Sequence, residues 1–327
     1  MPQESYPYAV GRVRAVEERL LDGSRWARLR ELDEHDAVRY LAEAGYGANA
    51  AGSEPEDLIE AELLHTREFI EEVTPDKRLS DLFLLRVDAH NLKVLLKSRL
   101  LGAEGGALLL PGGGFEPAAL AQAVESGDFS ALPAAMQAPL AQAWELAGAK
   151  EGGSAPEISA LCDRAVFAHA FSVLKGARGQ SGAELRAYFV VQVDFLNVLS
   201  VVRARRLGYT EKELAPMLLN GGSHAAQELQ AALAAEGREL AGLLAKGPAA
   251  EAIAAALEGA GGEDATEVER RMDRELLRLA RERKYESFSM GPIVGYLLAR
   301  EAEAKALRVF FAARRAGVEP AAPDLYV

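Results

Sequence analysis

The chain has 327 residues, with 37 Lys and Arg against 49 Asp and Glu, a formal charge of −12. About 100–200 residues per domain makes this two or three domains, and 49% hydrophobic with 26% charged residues excludes a disordered or fibrous chain. The single cysteine, Cys162, excludes an intramolecular disulfide framework and a thiolate-rich zinc site, and the acidic balance argues against phosphate-driven nucleic-acid binding.

From the N-terminus, Met1-Pro2-Gln3-Glu4-Ser5-Tyr6 has neither the basic nor the apolar region of a secretory signal. Most of the remaining chain is predicted to be helical. Leu92, Leu95, Leu96 and Arg99 fall at i, i+3, i+4, i+7, as do Val198, Val201, Val202 and Arg205, and later Leu307, Phe310, Phe311 and Arg314. Such spacing sets one stripe of each helix against a core. The Ala-rich stretch from Ala118 to Ala149 is predicted to form short helices broken at Gly127, Pro133 and Pro139. Further breaks are expected at Gly152-Gly153 and from Gly259 to Asp264. The most apolar stretch, Tyr188 to Val202, contains Gln192, Asp194 and Asn197, so no membrane span is expected. Strand signals are few, and the fold class is all-α.

Two markers repeat along the chain. Leu82-Phe83-Leu84-Leu85-Arg86-Val87-Asp88, continuing through Asn91 and Arg99 to Gly102, recurs 106 residues later as Tyr188-Phe189-Val190-Val191-Gln192-Val193-Asp194, continuing through Asn197 and Arg205 to Gly208. A third copy runs from Glu303 through Arg314 to Gly317, with Ala306 at the Asn position. The second marker is a turn-forming tetrapeptide, Leu20-Leu21-Asp22-Gly23, Leu109-Leu110-Pro111-Gly112 and Leu218-Leu219-Asn220-Gly221. Leu110 to Asp194 and Leu219 to Glu303 are both 84 residues, whereas Leu21 to Asp88 is 67. Two markers holding one separation point to three helical units, expected at 1–106, 107–215 and 216–327. These are longer than solenoid repeats of about 20–50 residues.

Catalytic signatures are few. No Gly-Lys dipeptide offers a phosphate-binding loop. The five histidines, His35, His65, His90, His169 and His224, never form the i, i+4 metal pair of a zincin helix. Ser154 and Ser223 lack the Gly-x-Ser-x-Gly setting of a nucleophile elbow, and Cys162 reads as a small buried hydrophobe. No cofactor is expected. Asp88 with Asn91, and Asp194 with Asn197, share a helix face at i, i+3 behind an apolar turn. A metal or substrate site is one reading; a structural polar pair bonded to a neighbouring helix end is the better one, because a buried carboxylate must be satisfied. The charge-dense segment from Glu263 to Lys284 reads as a solvated helix with ion pairs. Arg99, Arg205 and Arg314, with Arg206 and Arg315 beside them, recur near the ends of the three repeated helices. Each complements its own helix dipole by about 0.3–1 kcal/mol, and their triplication makes them candidate interface residues.

Tyr6-Pro7-Tyr8-Ala9-Val10-Gly11-Arg12, the block Leu85-Arg86-Val87-Asp88-Ala89-His90-Asn91, its copy around Asp194 and Asn197, and the closing Pro292-Ile293-Val294-Gly295-Tyr296 through Gly317 resemble the family of C subunits of prokaryotic V/A-type rotary ATPases. The eukaryotic counterpart is the d subunit of the vacuolar ATPase. The resemblance covers essentially the whole chain and implies three similar helical domains around a pseudo-threefold axis, forming a funnel. It implies a non-catalytic collar between the central stalk subunits and the membrane rotor (proteolipid) ring, peripheral on the cytoplasmic face of the membrane. There it transmits torque for ATP-coupled proton or sodium transport. An all-helical scaffold unrelated to a rotary motor, and an all-α enzyme, are the alternatives.

Overall fold

Fifteen α-helices and no strand make up the described residues, 5–50, 52–149, 154–258 and 264–319, of the computed structural model. In chain order the helices are α1 (Tyr6–Glu17), α2 (Gly23–Glu31), α3 (Glu34–Glu43), α4 (Pro55–Val73), α5 (Lys77–Leu101), α6 (Pro117–Ser126), α7 (Ala134–Gly148) and α8 (Ala155–Gly176). Then come α9 (Gly179–Leu207), α10 (Glu211–Leu214), α11 (Ala226–Ala231), α12 (Gly237–Leu244), α13 (Ala250–Glu258), α14 (Ala265–Glu282) and α15 (Gly291–Arg315). The all-α reading holds. The breaks expected at Gly152-Gly153 and over 259–263 lie outside the described residues.

The chain divides into two compact units, and the division follows space rather than chain order. One unit combines Met1–Ser80 with Leu277–Val327; the other is Asp81–Leu276. In the first, α15 packs along α4 and α1. Its core joins residues from both chain ends: Trp26, Leu29, Leu41, Leu58 and Ile59 meet Leu307, Phe310 and Phe311. The i, i+3, i+4 stripe read from Leu307, Phe310 and Phe311 therefore faces the N-terminal helices. Local chemistry sets where those helices begin. Asp22 accepts from the Arg25 N–H at 2.9 Å to start α2, Asp33 accepts from the Asp36 N–H at 2.8 Å to start α3, and Pro55 opens α4.

In the second unit α7 packs along α8, and α8 along α9. Pro139 lies inside α7 rather than at a break. The lost N–H bond is tolerated because Met136, Leu140, Ala143 and Ala147 keep one continuous buried stripe through it. Phe83 meets Tyr188 and Phe189, with ring centroids 5.4 and 5.9 Å apart, and Phe167 meets Phe189 at 6.3 Å. Helix α9 has the length and apolarity of a membrane-crossing helix, yet 67% of its most apolar window is buried within the protein. In α14, Glu267 pairs with Arg270 and Arg271, as the charge spacing predicts.

The three repeated helices α5, α9 and α15 end alike. Gly102, Gly208 and Gly317 take φ of 62°, 69° and 69°, and the next N–H (Ala103, Tyr209, Val318) returns to Ser98, Ala204 and Ala313 at 2.9 Å in each case. Glycine suits this left-handed stop because a Cβ there is strained.

Phe310 is 2% exposed and meets Trp26 edge to face at 6.3 Å. Phe310→Ala is expected to cost about 3–5 kcal/mol. Limited proteolysis should then release α2 and α3 together with α15, because one core holds all of them. Cleavage confined to α15 would show that the N-terminal helices are held independently.

Candidate functional site

The Asp/Asn pairs turn out to hold loops. Asp88 and Asn91 are fully buried on α5, in front of the loop that precedes α6. Asn91 Oδ1 accepts from the Leu110 N–H at 2.8 Å while its amide donates to the Leu110 carbonyl at 2.9 Å. Asp88 accepts from the Gly114 N–H at 3.0 Å and the Phe115 N–H at 3.1 Å. One helix face thus satisfies four backbone groups of a loop that has no ladder of its own.

Helix α9 repeats the arrangement at equivalent positions, with side-chain groups where α5 has its second backbone donor. Asn197 takes the Leu219 N–H at 2.8 Å and donates to its carbonyl at 3.0 Å. Asp194 accepts from the Ser223 N–H at 2.6 Å, from the Ser223 hydroxyl at 2.7 Å, and faces His224 Nδ1 at 3.2 Å. Both loops need glycine for close approach. A Cβ at Gly113 would lie 2.3 Å from Asp88 Oδ1, and one at Gly222 would lie 2.4 Å from Asp194 Oδ1.

The third version joins the two chain ends. Ala306 stands where an Asn would be, and the longer Glu303 side chain accepts the Leu21 N–H directly. Leu21 is the counterpart of Leu110 and Leu219. Buried Arg300 supports Glu303 at 2.8 Å, pairs with Glu62 at 3.1 Å, and donates to the Tyr296 hydroxyl at 3.1 Å. Glu62 in turn accepts from the Gly47 N–H at 3.0 Å. The expected unit boundaries at 106/107 and 215/216 fall between each helix and the loop it clasps.

The electrostatics differ among the clasps. Burial pushes the Asp88 carboxyl up to about 6 against the opposing bonds from Phe115 and Gly114. Burial likewise pushes Glu303 up to about 7, against the attraction of Arg300. Burial tends to lower the Arg300 pKa, but Glu303 and Glu62 outweigh it and the net shift is upward.

Two of the triplicated arginines donate to carbonyls at or just past the ends of other helices, and the third stacks on the last turn of one. The Arg205 guanidinium donates to the Ala232, Leu233 and Ala235 carbonyls at 2.8, 2.9 and 2.6 Å, just past α11. Arg314 donates to the Arg30 carbonyl near the end of α2 and lies over Phe310. Arg99 stacks 4.1 Å from the Trp144 ring centroid, beside Gly148 at the end of α7. Arg315 pairs with Glu34 at 2.6 Å and Glu54 at 3.5 Å, and Arg206 is exposed. Sequence spacing marks these positions but not their partners, because these lie 27–30 residues away for Arg205, 45–49 for Arg99 and at the other chain end for Arg314. His224 carries no signal in the sequence beyond its place two residues after a Gly-Gly pair.

Asp88→Leu removes the acceptor of the part-buried Gly114 and Phe115 N–H bonds and is expected to cost on the order of 1–3 kcal/mol. The sign of the pH dependence follows from the raised carboxyl. The stabilisation it links to proton binding is present in full below the ordinary carboxyl value and is lost as pH rises through about 6. Urea melts of the two proteins should therefore differ more at pH 5 than at pH 7.5.

The family described as ATP synthase (C/AC39) subunit matches residues 9–324. Among curated relatives, the chain is 27% identical to the C subunit of the A-type ATP synthase of Haloferax volcanii, over 96% of this chain and 94% of that one. It is 28% identical to the C subunit of the V-type ATP synthase of Thermus thermophilus, over 96% and 94%. It is 26% identical to the C subunit of the A-type ATP synthase of Methanothermobacter thermautotrophicus, over 98% and 86%. With the match running almost end to end, the chain belongs to the ATP synthase C/AC39 subunit family and is a subunit of an A/V-type rotary ATPase.

Proposed function

We propose that this subunit is the non-catalytic collar of the rotor, joining the central stalk to the membrane rotor ring on the cytoplasmic face and carrying torque between them. The observation that carries this reading is the clasp that recurs on α5, α9 and α15. In each copy the buried polar side chains are committed to backbone groups or to one another, which is the chemistry of a brace rather than of a reacting site. Loops hydrogen-bonded to buried side chains open rarely, and a part that passes torque must not yield locally. The proposed architecture is three similar helical units around a pseudo-threefold axis, with a hollow for the stalk. Each clasp ties residues across a boundary of these units, and the third ties α15 back to the first of them.

In this reading the ends of α5, α9 and α15 face the ring or the stalk. Arg99, Arg205 and Arg314 stiffen those ends by packing on or bonding to neighbouring helices, Arg315 is held within the protein by Glu34 and Glu54, and exposed Arg206 offers charge to acidic groups of the partner. Arg206→Glu is expected to loosen the protein from the purified complex more at low than at high salt, because exposed pairs are screened. Co-purification equal to wild type at both ionic strengths would remove Arg206 from the interface.

The decisive experiment removes the protein from inverted membrane vesicles that carry the rest of the complex. ATP hydrolysis by the soluble motor should persist while ATP-driven ion uptake falls to background, and adding the purified protein should restore uptake. Uptake unchanged without it would overturn the collar role. The isolated protein should also give no stoichiometric heat with millimolar ATP by titration calorimetry.

A further inference from the structure

Among the three clasps, the one on α9 holds a titratable base. His224 sits where the α5 clasp has Phe115, and its side chain is wholly buried. Its Nε2 lies 2.6 Å from the Leu244 carbonyl at the end of α12. A carbonyl oxygen only accepts, so Nε2 carries hydrogen. Its Nδ1 lies 3.2 Å from Asp194 Oδ1, while Asp194 already receives the Ser223 N–H and hydroxyl. Both Asp194 oxygens already accept, Oδ1 from the Ser223 N–H and Oδ2 from its hydroxyl, so Nδ1 is assigned as a donor to Oδ1 as well. A ring that donates from both nitrogens is an imidazolium.

We propose that His224 is a pH-operated latch: charged, it ties Asp194 on α9 to the Leu244 carbonyl that ends α12, and losing its proton frees one of those two contacts and loosens the 218–224 loop.

The charged groups around it are few. Asp194 faces it from α9, and Glu228 acts on it from α11; Lys246, just after α12, pairs with Glu228. The turn after α12 also closes on the cluster, since a Cβ at Gly247 would fall 2.0 Å from the Ser223 hydroxyl and 2.9 Å from Asp194 Oδ2. Burial on its own would lower the His224 pKa, but the bonds to Asp194 and the Leu244 carbonyl, with Glu228 adding to them, outweigh it and hold it above the ordinary histidine value. Because the shift is upward, the stabilisation is present in full below the ordinary value of about 6.5 and is lost as pH rises through the higher folded-state value. The latch therefore opens on the alkaline side. The α15 clasp has no such behaviour in its base, since Arg300 is a guanidinium that stays charged.

The test uses the full chain labelled with 15N-histidine, with the His224 signal assigned by its loss in His224→Gln. Both ring nitrogens should be protonated at pH 6, with a midpoint above 6.5. Hydrogen exchange read by mass spectrometry should show peptides over 218–224 and 240–246 losing protection, beyond the intrinsic rise, across the same midpoint. Peptides over 110–115 should instead follow the Asp88 midpoint of about 6 in both proteins, and His224→Gln should abolish the step over 218–224 and 240–246, which is the one that decides. A midpoint at or below the ordinary histidine value, a ring protonated on one nitrogen at pH 6 (the proton lying on Asp194 instead), or an exchange step over 218–224 and 240–246 that survives in His224→Gln would overturn the proposal. If His224→Gln does not fold, signal assignment by proximity to Leu244 leaves the wild-type titration and exchange to decide.

Discussion

A carboxylate buried on a helix has lost its water, and the fold meets that cost by bringing a half-exposed turn of the backbone against it. Left apart, each unpaired group would cost about 1–3 kcal/mol. Joined, Asp88 and Asn91 satisfy Leu110, Gly114 and Phe115, and Asp194 and Asn197 satisfy Leu219 and Ser223. The rest of the local structure obeys that requirement. The loop must reverse against the helix that precedes it, glycine must stand where a Cβ would strike the carboxylate, and the next helix must start within reach of the clasp. At Glu303 the same constraint acts over nearly the whole length of the chain. The amide it satisfies belongs to Leu21, so α15 cannot settle into its place until the N-terminal residues are there.

Much of this is visible in the sequence because helical periodicity and a fixed spacing survive translation into structure. Leu307, Phe310 and Phe311 face the core as their spacing requires, and Gly102, Gly208 and Gly317 stop their helices. The Asp/Asn pairs at i, i+3 are legible as a device, since two carboxylates placed after two apolar turns need partners. Which groups they hold is less legible. A tetrapeptide such as Leu109-Leu110-Pro111-Gly112 can be grouped with the helix before it or the one after it, and a linear reading groups it with the later helix. Hydrogen bonding joins it to the earlier one. The interval of 84 residues is real, but it measures from one clasp's loop to the next clasp's carboxylate.

Side-chain reach explains the remaining gaps. Ala306 at the Asn position looks like erosion of the motif, yet Glu303 is one methylene longer than Asp88 or Asp194 and takes over the Leu21 amide itself. The arginines beside the helix stops look like partners for their own helix dipoles. Arg205 instead reaches three carbonyls beyond α11, because a guanidinium on a long stem can serve a neighbouring helix end as well as its own. Pro139 reads as a break and is not one, since packing of α7 against α8 outweighs a single missing N–H.

The three clasps do one backbone task with three different answers to the cost of burying charge. On α5 the carboxyl has only backbone donors, and burial drives it up to about 6. On α9 a serine hydroxyl and a histidine surround it. On α15 a guanidinium is shared between two carboxylates, which compensates charge whatever the pH but leaves Glu303 raised to about 7. The backbone amides set where the carboxylate must be, to within a hydrogen bond, while any donor that relieves its desolvation will serve on the other side. A repeat built on this logic keeps its spacing and its acidic position and lets the companion residue vary. Phe115 can therefore occupy the place of His224 without disturbing the loop, and the three joints can differ in their response to pH while sharing one shape.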